Sequence, residues 1–237
     1  MSGTAPILSL AAPSAWGARL RVMRETDTIP RAYLTAVDSV VELLGRAEVA
    51  DAWDSPSALA EWRVGGLAGH LAAQAFLGVR LLENGPSTQD PISIDEHYER
   101  AAWVGAKVDD DVSASIRAGG DADAKAGPAA LVDRVRTARD RVAELLADTD
   151  ESLVLLVPWQ GWSLRRDDLL TTRMMEIAVH SDDLAASVGV TAPPLPGDVL
   201  DPVLALLTRL AVRRHGQSAV VTALTRAERA PGSIAAF

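Results

Sequence analysis

Three side chains in two separate segments of the sequence have the types and spacing of a metal site. Glu176 and His180 are four residues apart and Asp183 follows three residues later, so in a helix they share one face. His70 lies in a second, largely apolar segment. Two imidazole nitrogens and one carboxylate leave open positions on a divalent ion, as catalytic sites do. The sequence therefore predicts a metal centre with His70, Glu176 and His180 as ligands.

Each part of this pattern also has a simpler explanation. A polar stripe is usually the solvent-facing side of a helix. A single histidine within an apolar segment is usually a buried, hydrogen-bonded residue of the core. The half of the helix that carries Glu176 and His180 also carries larger apolar residues, whereas small and polar residues occupy the opposite half. The first group is Leu169, Ile177, Val179 and Leu184; the second is Thr171, Ala178, Ser181, Asp182 and Ala185. We therefore expect the second half to face solvent and the stripe to face the interior, where ionised groups need a partner or a metal.

Apolar residues at helical spacing predict four long helices that position these side chains. The predicted helices cover residues 30–44, 67–82, 129–146 and 167–188, and Pro30 suits a first helical turn. His70 belongs to the second helix, and Glu176 and His180 belong to the fourth. The four helices predict an all-α fold class. Facing helices of a bundle commonly build metal sites from inward-pointing Glu and His.

The remaining segments are predicted to connect or extend this bundle. Residues 1–29 show no sustained period and are interpreted as a loose N-terminal extension. Residues 86–127 form a long acidic crossover with one short helix near 95–104 and another near 112. An apolar run at 153–157, followed by Pro158 and Trp159–Trp162, predicts a small hairpin. Helices at 199–214 and 218–226 make residues 191–237 a short helical C-terminal appendage to the bundle at 30–190.

The composition excludes several classes of protein. A formal net charge of -9 argues against nucleic acid as a partner, because phosphate binding depends on clustered Lys and Arg. The sequence has no cysteine, which excludes disulfides, Cys-ligated zinc and a cysteine nucleophile. No apolar run reaches the ~20 residues that span a bilayer, and the opening residues lack a basic region before an apolar core. We therefore expect a cytoplasmic protein without a membrane partner, either a monomer or a homodimer.

Two segments resemble the DinB-like superfamily and, within it, the mycothiol-dependent maleylpyruvate isomerase type. Residues 62–71, Trp-Arg-Val-Gly-Gly-Leu-Ala-Gly-His-Leu, resemble the first-ligand segment of the family. Residues 173–184, Arg-Met-Met-Glu-Ile-Ala-Val-His-Ser-Asp-Asp-Leu, resemble the second, and their order and separation also match. Most members of the superfamily use three histidines, so the glutamate at Glu176 resembles the mycothiol-linked branch. The resemblance covers roughly residues 30–190.

The resemblance implies an antiparallel four-helix bundle with a metal ion at one end and a low-molecular-weight thiol, mycothiol, as cosubstrate. A metal-bound thiol loses its proton near neutral pH, and the thiolate could attack a small electrophile in a transfer or an isomerisation. Asp183 would orient a ligand or relay a proton. Zinc is the leading ion, although Fe²⁺, Mn²⁺ and Ni²⁺ suit the same donors. The isomerase also has a small α/β domain at its C-terminus, whereas the residues after Val190 are predicted to be helical here.

The other chemically capable side chains are less specific. Arg173 and Arg80 could bind a substrate anion or simply be solvated, and Arg173 is the stronger candidate because it lies near Glu176 and His180 on the helical wheel. His97 lies in an acidic segment and is predicted to be exposed. Trp159 and Trp162 are predicted either to line the mouth of a pocket or, more commonly for tryptophan, to pack under the hairpin.

Two other functions remain open from the sequence. A metal-dependent hydrolase or lyase would activate water at the same site and would not depend on a thiol. A noncatalytic DinB-like ligand-binding protein would hold the polar stripe as a structural hydrogen-bond network and would contain no stoichiometric metal. Metal content and thiol dependence of turnover distinguish the three hypotheses.

Overall fold

A computed structural model describes residues 27–237 of the chain, so most of the predicted N-terminal extension lies outside the described residues. The described part is mostly helical, and the predicted all-α fold class is confirmed. Its helices are α1 (Thr28–Leu44), α2 (Ala47–Asp51), α3 (Val64–Glu83), α4 (Ile94–Arg100), α5 (Asp111–Ala124), α6 (Pro128–Ala147), α7 (Arg166–Val188), α8 (Gly197–His215) and α9 (Gln217–Thr225). Within residues 27–237 one hairpin, β1 (Val154–Val157) and β2 (Trp162–Arg165), precedes α7. A 3-10 turn at Ala227–Arg229 follows α9.

Four long helices form the bundle that the sequence predicts. Helices α1 and α3 each pack against both α6 and α7. Their buried faces carry apolar residues at helical spacing, and one continuous core joins all four helices. Helix α1 begins at Thr28, two residues before the predicted start, a difference typical of helix ends. In this part of the chain, none of the helices is both long and apolar enough to cross a bilayer.

Helix α7 is covered on more sides than the sequence indicates. Ser181 is 4% exposed and Ala185 is 2% exposed, so the prediction that this half of the helix faces solvent was wrong at both positions. The reason is that α8 packs against α7 in addition to α1 and α3. Of the five small and polar residues predicted to face solvent, Asp182 is the exposed one.

The first residue of α7 fixes the position of that helix. The Arg166 side chain is fully buried, and its Nε donates to Asp167 at 2.7 Å. Its Nη1 donates to Thr149 Oγ1 at 3.1 Å, just after α6, and its Nη2 lies 3.6 Å from Asp27 at the start of α1. A buried guanidinium is tolerated only with such partners, so this residue holds the beginning of α7 against two other helices.

The crossover contains a helix that packs closely on α3. Helix α5 crosses the first half of α3, which carries His70, at a place where both backbones lack side chains. A Cβ atom on Gly69 would collide with the carbonyl group of Gly120, and a Cβ atom on Gly120 would collide with the carbonyl oxygen of Gly66. These glycines therefore allow a close backbone approach, and the crossover becomes a wall beside His70.

The hairpin positions the helices on either side of it. Strands β1 and β2 are antiparallel, with Val157 opposite Trp162. The segment before α4 runs along the hairpin, because Ser87 N–H donates to the Val154 carbonyl at 2.8 Å and Ile92 N–H donates to the Ser163 carbonyl at 2.9 Å. Strand β2 then leads directly into α7. The hairpin thus brings α4 towards the helix that carries Glu176 and His180.

Candidate metal centre

His70 from α3 meets Glu176 and His180 from α7 inside the bundle. Glu176 Oε2 lies 3.2 Å from His180 Nε2 and 3.9 Å from His70 Nε2. One potential ligand atom from each of the three residues lies within 4.8 Å of the other two. The side chains remain 18%, 14% and 18% exposed for His70, Glu176 and His180. The three residues singled out in the sequence therefore face one another at a partly open position.

Opposing effects set the protonation of this cluster. Burial would raise the pKa of Glu176, but its interactions with His180 and His70 outweigh burial and hold the pKa well below the usual range. Burial would lower the pKa of His180, but the hydrogen bonds to Asp183 and Glu176 raise the pKa to about 9. Burial holds the pKa of His70 below its ordinary value. At neutral pH the cluster thus contains a carboxylate, an imidazolium and a neutral imidazole.

Asp183 contacts the far side of the His180 ring. The Nδ1–H group of His180 donates to Asp183 Oδ2 at 3.0 Å, and this contact leaves Nε2 facing Glu176. A carboxylate in this position fixes the orientation of an imidazole ligand and increases its basicity. The structure therefore places Asp183 behind one candidate ligand.

Arg173 lies one turn before Glu176 and is held by a residue that the sequence analysis missed. Its Nη1 donates to Gln74 Oε1 at 2.8 Å. The Gln74 side-chain amide donates in turn to the backbone carbonyl group of His70 at 3.0 Å. The backbone carbonyl group of Gln74 accepts from the Tyr33 hydroxyl at 2.8 Å. The available signal was position, because Gln74 follows His70 by one helical turn. Gln74 thus connects a candidate ligand to the nearby cation.

The second arginine considered from the sequence lies elsewhere. Arg80 is exposed, and its guanidinium carbon lies 5.1 Å from the centre of the Trp159 ring. Trp159 itself is 47% exposed on the hairpin turn, so the prediction that it packs under the hairpin was wrong. The structure therefore separates the two arginines, with Arg173 beside the candidate ligands and Arg80 on the surface.

His97 is buried, so the prediction that it is exposed was wrong. The residue is 4% exposed, and its Nδ1 accepts a hydrogen bond from Trp162 Nε1 at 3.1 Å. Burial, assisted by the charge of Arg173, lowers the pKa of His97 to about 4. The acidic neighbours of His97 suggested a solvated segment, whereas the covering residue lies 65 positions away in the chain. Trp162 therefore packs under the hairpin, against α4.

The donor set of the cluster is suited to a divalent metal ion. Two imidazole nitrogens and one carboxylate oxygen are common ligands of catalytic zinc, and they also suit several other first-row metals. Two of the donors come from successive turns of one helix and the third comes from a facing helix, which is a usual origin for such sites in bundles. His70, Glu176 and His180 can therefore hold an ion once His180 releases its proton.

Comparison with known proteins identifies one matching family. The family model described as "Mycothiol maleylpyruvate isomerase N-terminal domain" matches residues 33–185, more than half of the 237-residue chain. The matched range contains all three candidate ligands as well as Arg173 and Asp183. No match was found among curated proteins or among solved structures.

Proposed function

Because the chain belongs to the mycothiol maleylpyruvate isomerase N-terminal domain family, we propose that it is a metal-dependent enzyme that uses a low-molecular-weight thiol. The thiol is activated for transfer to a small electrophile or for isomerisation of one. Mycothiol is the proposed cosubstrate and Zn²⁺ the proposed ion, with Fe²⁺, Mn²⁺ and Ni²⁺ as alternatives for the same donors. The family match supports an isomerase-like protein of this family. The identity of the ion, the use of mycothiol and the type of reaction are proposed.

The convergence of His70, Glu176 and His180 is the observation that carries this proposal. Their ligand atoms lie close enough to share one ion, and the side chains are not fully enclosed. A divalent ion held by this set would supply a positive charge that favours the thiolate form of a thiol cosubstrate at neutral pH. Since the chain has no cysteine, the sulfur nucleophile has to come from a bound small molecule.

Two further side chains have proposed roles in the reaction. Asp183 orients His180 through its Nδ1–H group and keeps Nε2 directed towards the Glu176 carboxylate. Arg173, fixed by Gln74, supplies a cation beside the ligands that can pair with an anionic group of the substrate. Both roles match the residues singled out from the sequence as catalytic candidates.

We also propose where this chemistry is located. The bundle at residues 30–190 carries the site, and residues 191–237 are a helical appendage whose α8 packs against α1 and α7. The net charge of -9 and the lack of cysteine support a cytoplasmic enzyme acting on small molecules, without nucleic acid or membrane as partners.

The proposal is tested by turnover assays of the Zn²⁺-loaded protein with mycothiol and maleylpyruvate, and then with other thiols and electrophiles. Turnover should require both metal and thiol. It should be lost in His180→Ala and kept in His215→Ala, because His215 lies at the end of α8 and is not part of the three-residue cluster. Turnover of the electrophile without thiol would instead favour a hydrolase or lyase. A His180→Ala variant that retained metal and thiol transfer would contradict the proposal.

A further inference from the structure

A second histidine-containing contact lies on the α4 side of the bundle. The backbone hydrogen bond between Ile92 and Ser163 holds the start of α4 against β2, so His97 of α4 lies beneath Trp162 of β2. The two ring centroids are 5.9 Å apart in an edge-on arrangement. Helix α4 also packs against α7, which carries the candidate ligands. The contact therefore lies on an element that packs against the helix carrying two of the proposed metal ligands.

The contact with Trp162 determines the tautomer of His97. An indole Nε1–H group can only donate, so His97 Nδ1 has to accept and cannot carry a proton. The lowered pKa of the ring, about 4, keeps it neutral at physiological pH. A neutral imidazole carries one proton, which must be on Nε2. His97 is therefore a neutral hydrogen-bond donor of fixed orientation.

The Nε2–H group is left without a protein acceptor. No hydrogen bond among residues 27–237 uses this nitrogen, and although His97 as a whole is 4% exposed, Nε2 is not among the fully buried side-chain atoms that lack a partner. The Nε2–H group therefore remains accessible to a small molecule. The neighbouring Tyr98 hydroxyl, in contrast, is fully buried and has no hydrogen-bond partner among the described residues. An accessible Nε2–H donor can pair with a ligand or water, and a buried hydroxyl such as that of Tyr98 is nearly always paired in native proteins.

Helix α4 packs against α7, and charged residues of α7 influence His97. After burial, the largest influences on the pKa of His97 are Arg173, which lowers it, and Glu176, which raises it. The pKa of Tyr98 is also raised, first by burial and then by Glu176. Because such effects fall off with distance, α4 lies close to the face of α7 that carries both charged residues.

We propose that His97 donates a hydrogen bond from Nε2 to an uncharged oxygen of the substrate, and that Trp162 is a positioning residue that fixes the required tautomer. The inference rests on the proposed function for the presence of a substrate. A neutral donor suits a carbonyl oxygen better than a carboxylate, for which Arg173 supplies a cation. The expected substrate is therefore an electrophile that carries a carbonyl group. Proton transfer by His97 is not required.

The first test measures the tautomer directly by long-range ¹H–¹⁵N NMR of the histidine side chains, with and without Zn²⁺. His97 should show a protonated Nε2 and an unprotonated Nδ1 from about pH 5.5 to about pH 8.5, as its low pKa requires. Trp162→Phe should populate the other tautomer, whereas the matched Trp159→Phe should leave the spectrum of His97 unchanged. A wild-type His97 protonated at Nδ1, or titrating near its ordinary pKa, would overturn the inference.

The second test adds one of two carboxylates to the Zn²⁺-loaded protein. Pyruvate carries a ketone oxygen beside its carboxylate, and propionate has the carboxylate alone. Pyruvate should shift the His97 Nε2–H resonance and propionate should not. His97→Phe should weaken pyruvate binding, and His97→Gln, which keeps a side-chain N–H donor, should restore part of it. An unchanged resonance in the Zn²⁺-loaded protein would overturn this inference alone. Failure of the wild type to bind any metal would contradict the proposed function and, with it, the substrate role of His97.

Discussion

The carboxylate of Asp183 lies 3.0 Å from Nδ1 of His180, three residues earlier on α7. Because an ionised carboxylate can only accept, the His180 ring carries a proton at Nδ1 and directs Nε2 towards Glu176, 3.2 Å away. The same contact helps to raise the pKa of His180 to about 9, against the effect of burial. Asp183 therefore determines both the orientation and the basicity of one candidate ligand.

Asp183→Asn should weaken Zn²⁺ binding without changing the fold. The amide keeps the size of the side chain but loses the charge that supports the His180 ring, and such losses typically weaken metal binding about 10- to 100-fold. Competition with a chromogenic chelator measures the dissociation constant. Asp182→Asn is the matched control, because Asp182 is exposed and adjacent in sequence. Equal affinities in the two variants would remove Asp183 from the site.

Zn²⁺ binding should release about one proton at neutral pH. His180 is protonated there because the carboxylates of Asp183 and Glu176 raise its pKa to about 9 against burial, whereas burial keeps His70 neutral. Only the neutral imidazole binds metal, so the apparent affinity should rise with pH and level off above about 9. Calorimetry in buffers of different ionisation enthalpy gives the number of protons. Binding without proton release near pH 7 would contradict the assigned protonation.

Arg173→Gln should lower turnover of an anionic electrophile while leaving Zn²⁺ bound. The substitution removes the cation beside Glu176, and a lost charge-assisted hydrogen bond corresponds to a decrease in kcat/KM of about 10- to 100-fold. Metal content measured on the same preparation separates this loss from loss of the ion. Arg80→Gln is the control, because Arg80 lies on the surface against Trp159. A similar decrease in both variants would argue against a specific role for Arg173.

Gly120→Ala should destabilise the fold, whereas Gly119→Ala should not. A methyl group at Gly120 would collide with the Gly66 carbonyl and would lie 3.2 Å from the backbone nitrogen of His70. Overpacking of this kind costs about 1–3 kcal/mol. A methyl group at Gly119 meets no atom within 4 Å, and alanine in a helix is favoured over glycine by about 0.5–1 kcal/mol. Chemical denaturation measures both changes, and equal stability of the two variants would contradict the close packing of α5 on α3.

The helices and the polar stripe could be predicted from local sequence. Helical periodicity identified all four bundle helices, and the spacing of Glu176, His180 and Asp183 predicted a shared face, which the structure bears out in the contacts of His180. The meeting of these residues with His70 required a bundle in which α3 faces α7, and they do pack together. Local periodicity is informative here because each helix buries one side in the core.

The sequence did not reveal contacts that depend on distant segments. His97 appeared solvated among acidic neighbours, yet Trp162 of the hairpin covers it. Ser181 and Ala185 appeared exposed, yet both are buried in the structure, where α8 packs against α7 as a further helix. The tight crossing of α5 over α3 depends on glycines in two helices whose sequences give no sign that they meet. In each case the deciding partner lies outside the range of local periodicity.

The central claim is that His70, Glu176 and His180 bind one metal ion together. It is tested most directly by elemental analysis of protein purified without an affinity metal and then exposed to Zn²⁺. Wild type and His215→Ala should each contain about one equivalent, whereas His70→Ala and Glu176→Ala should contain almost none, because each removes one of three ligands. A wild type without metal, or variants that retain a full equivalent, would contradict the claim.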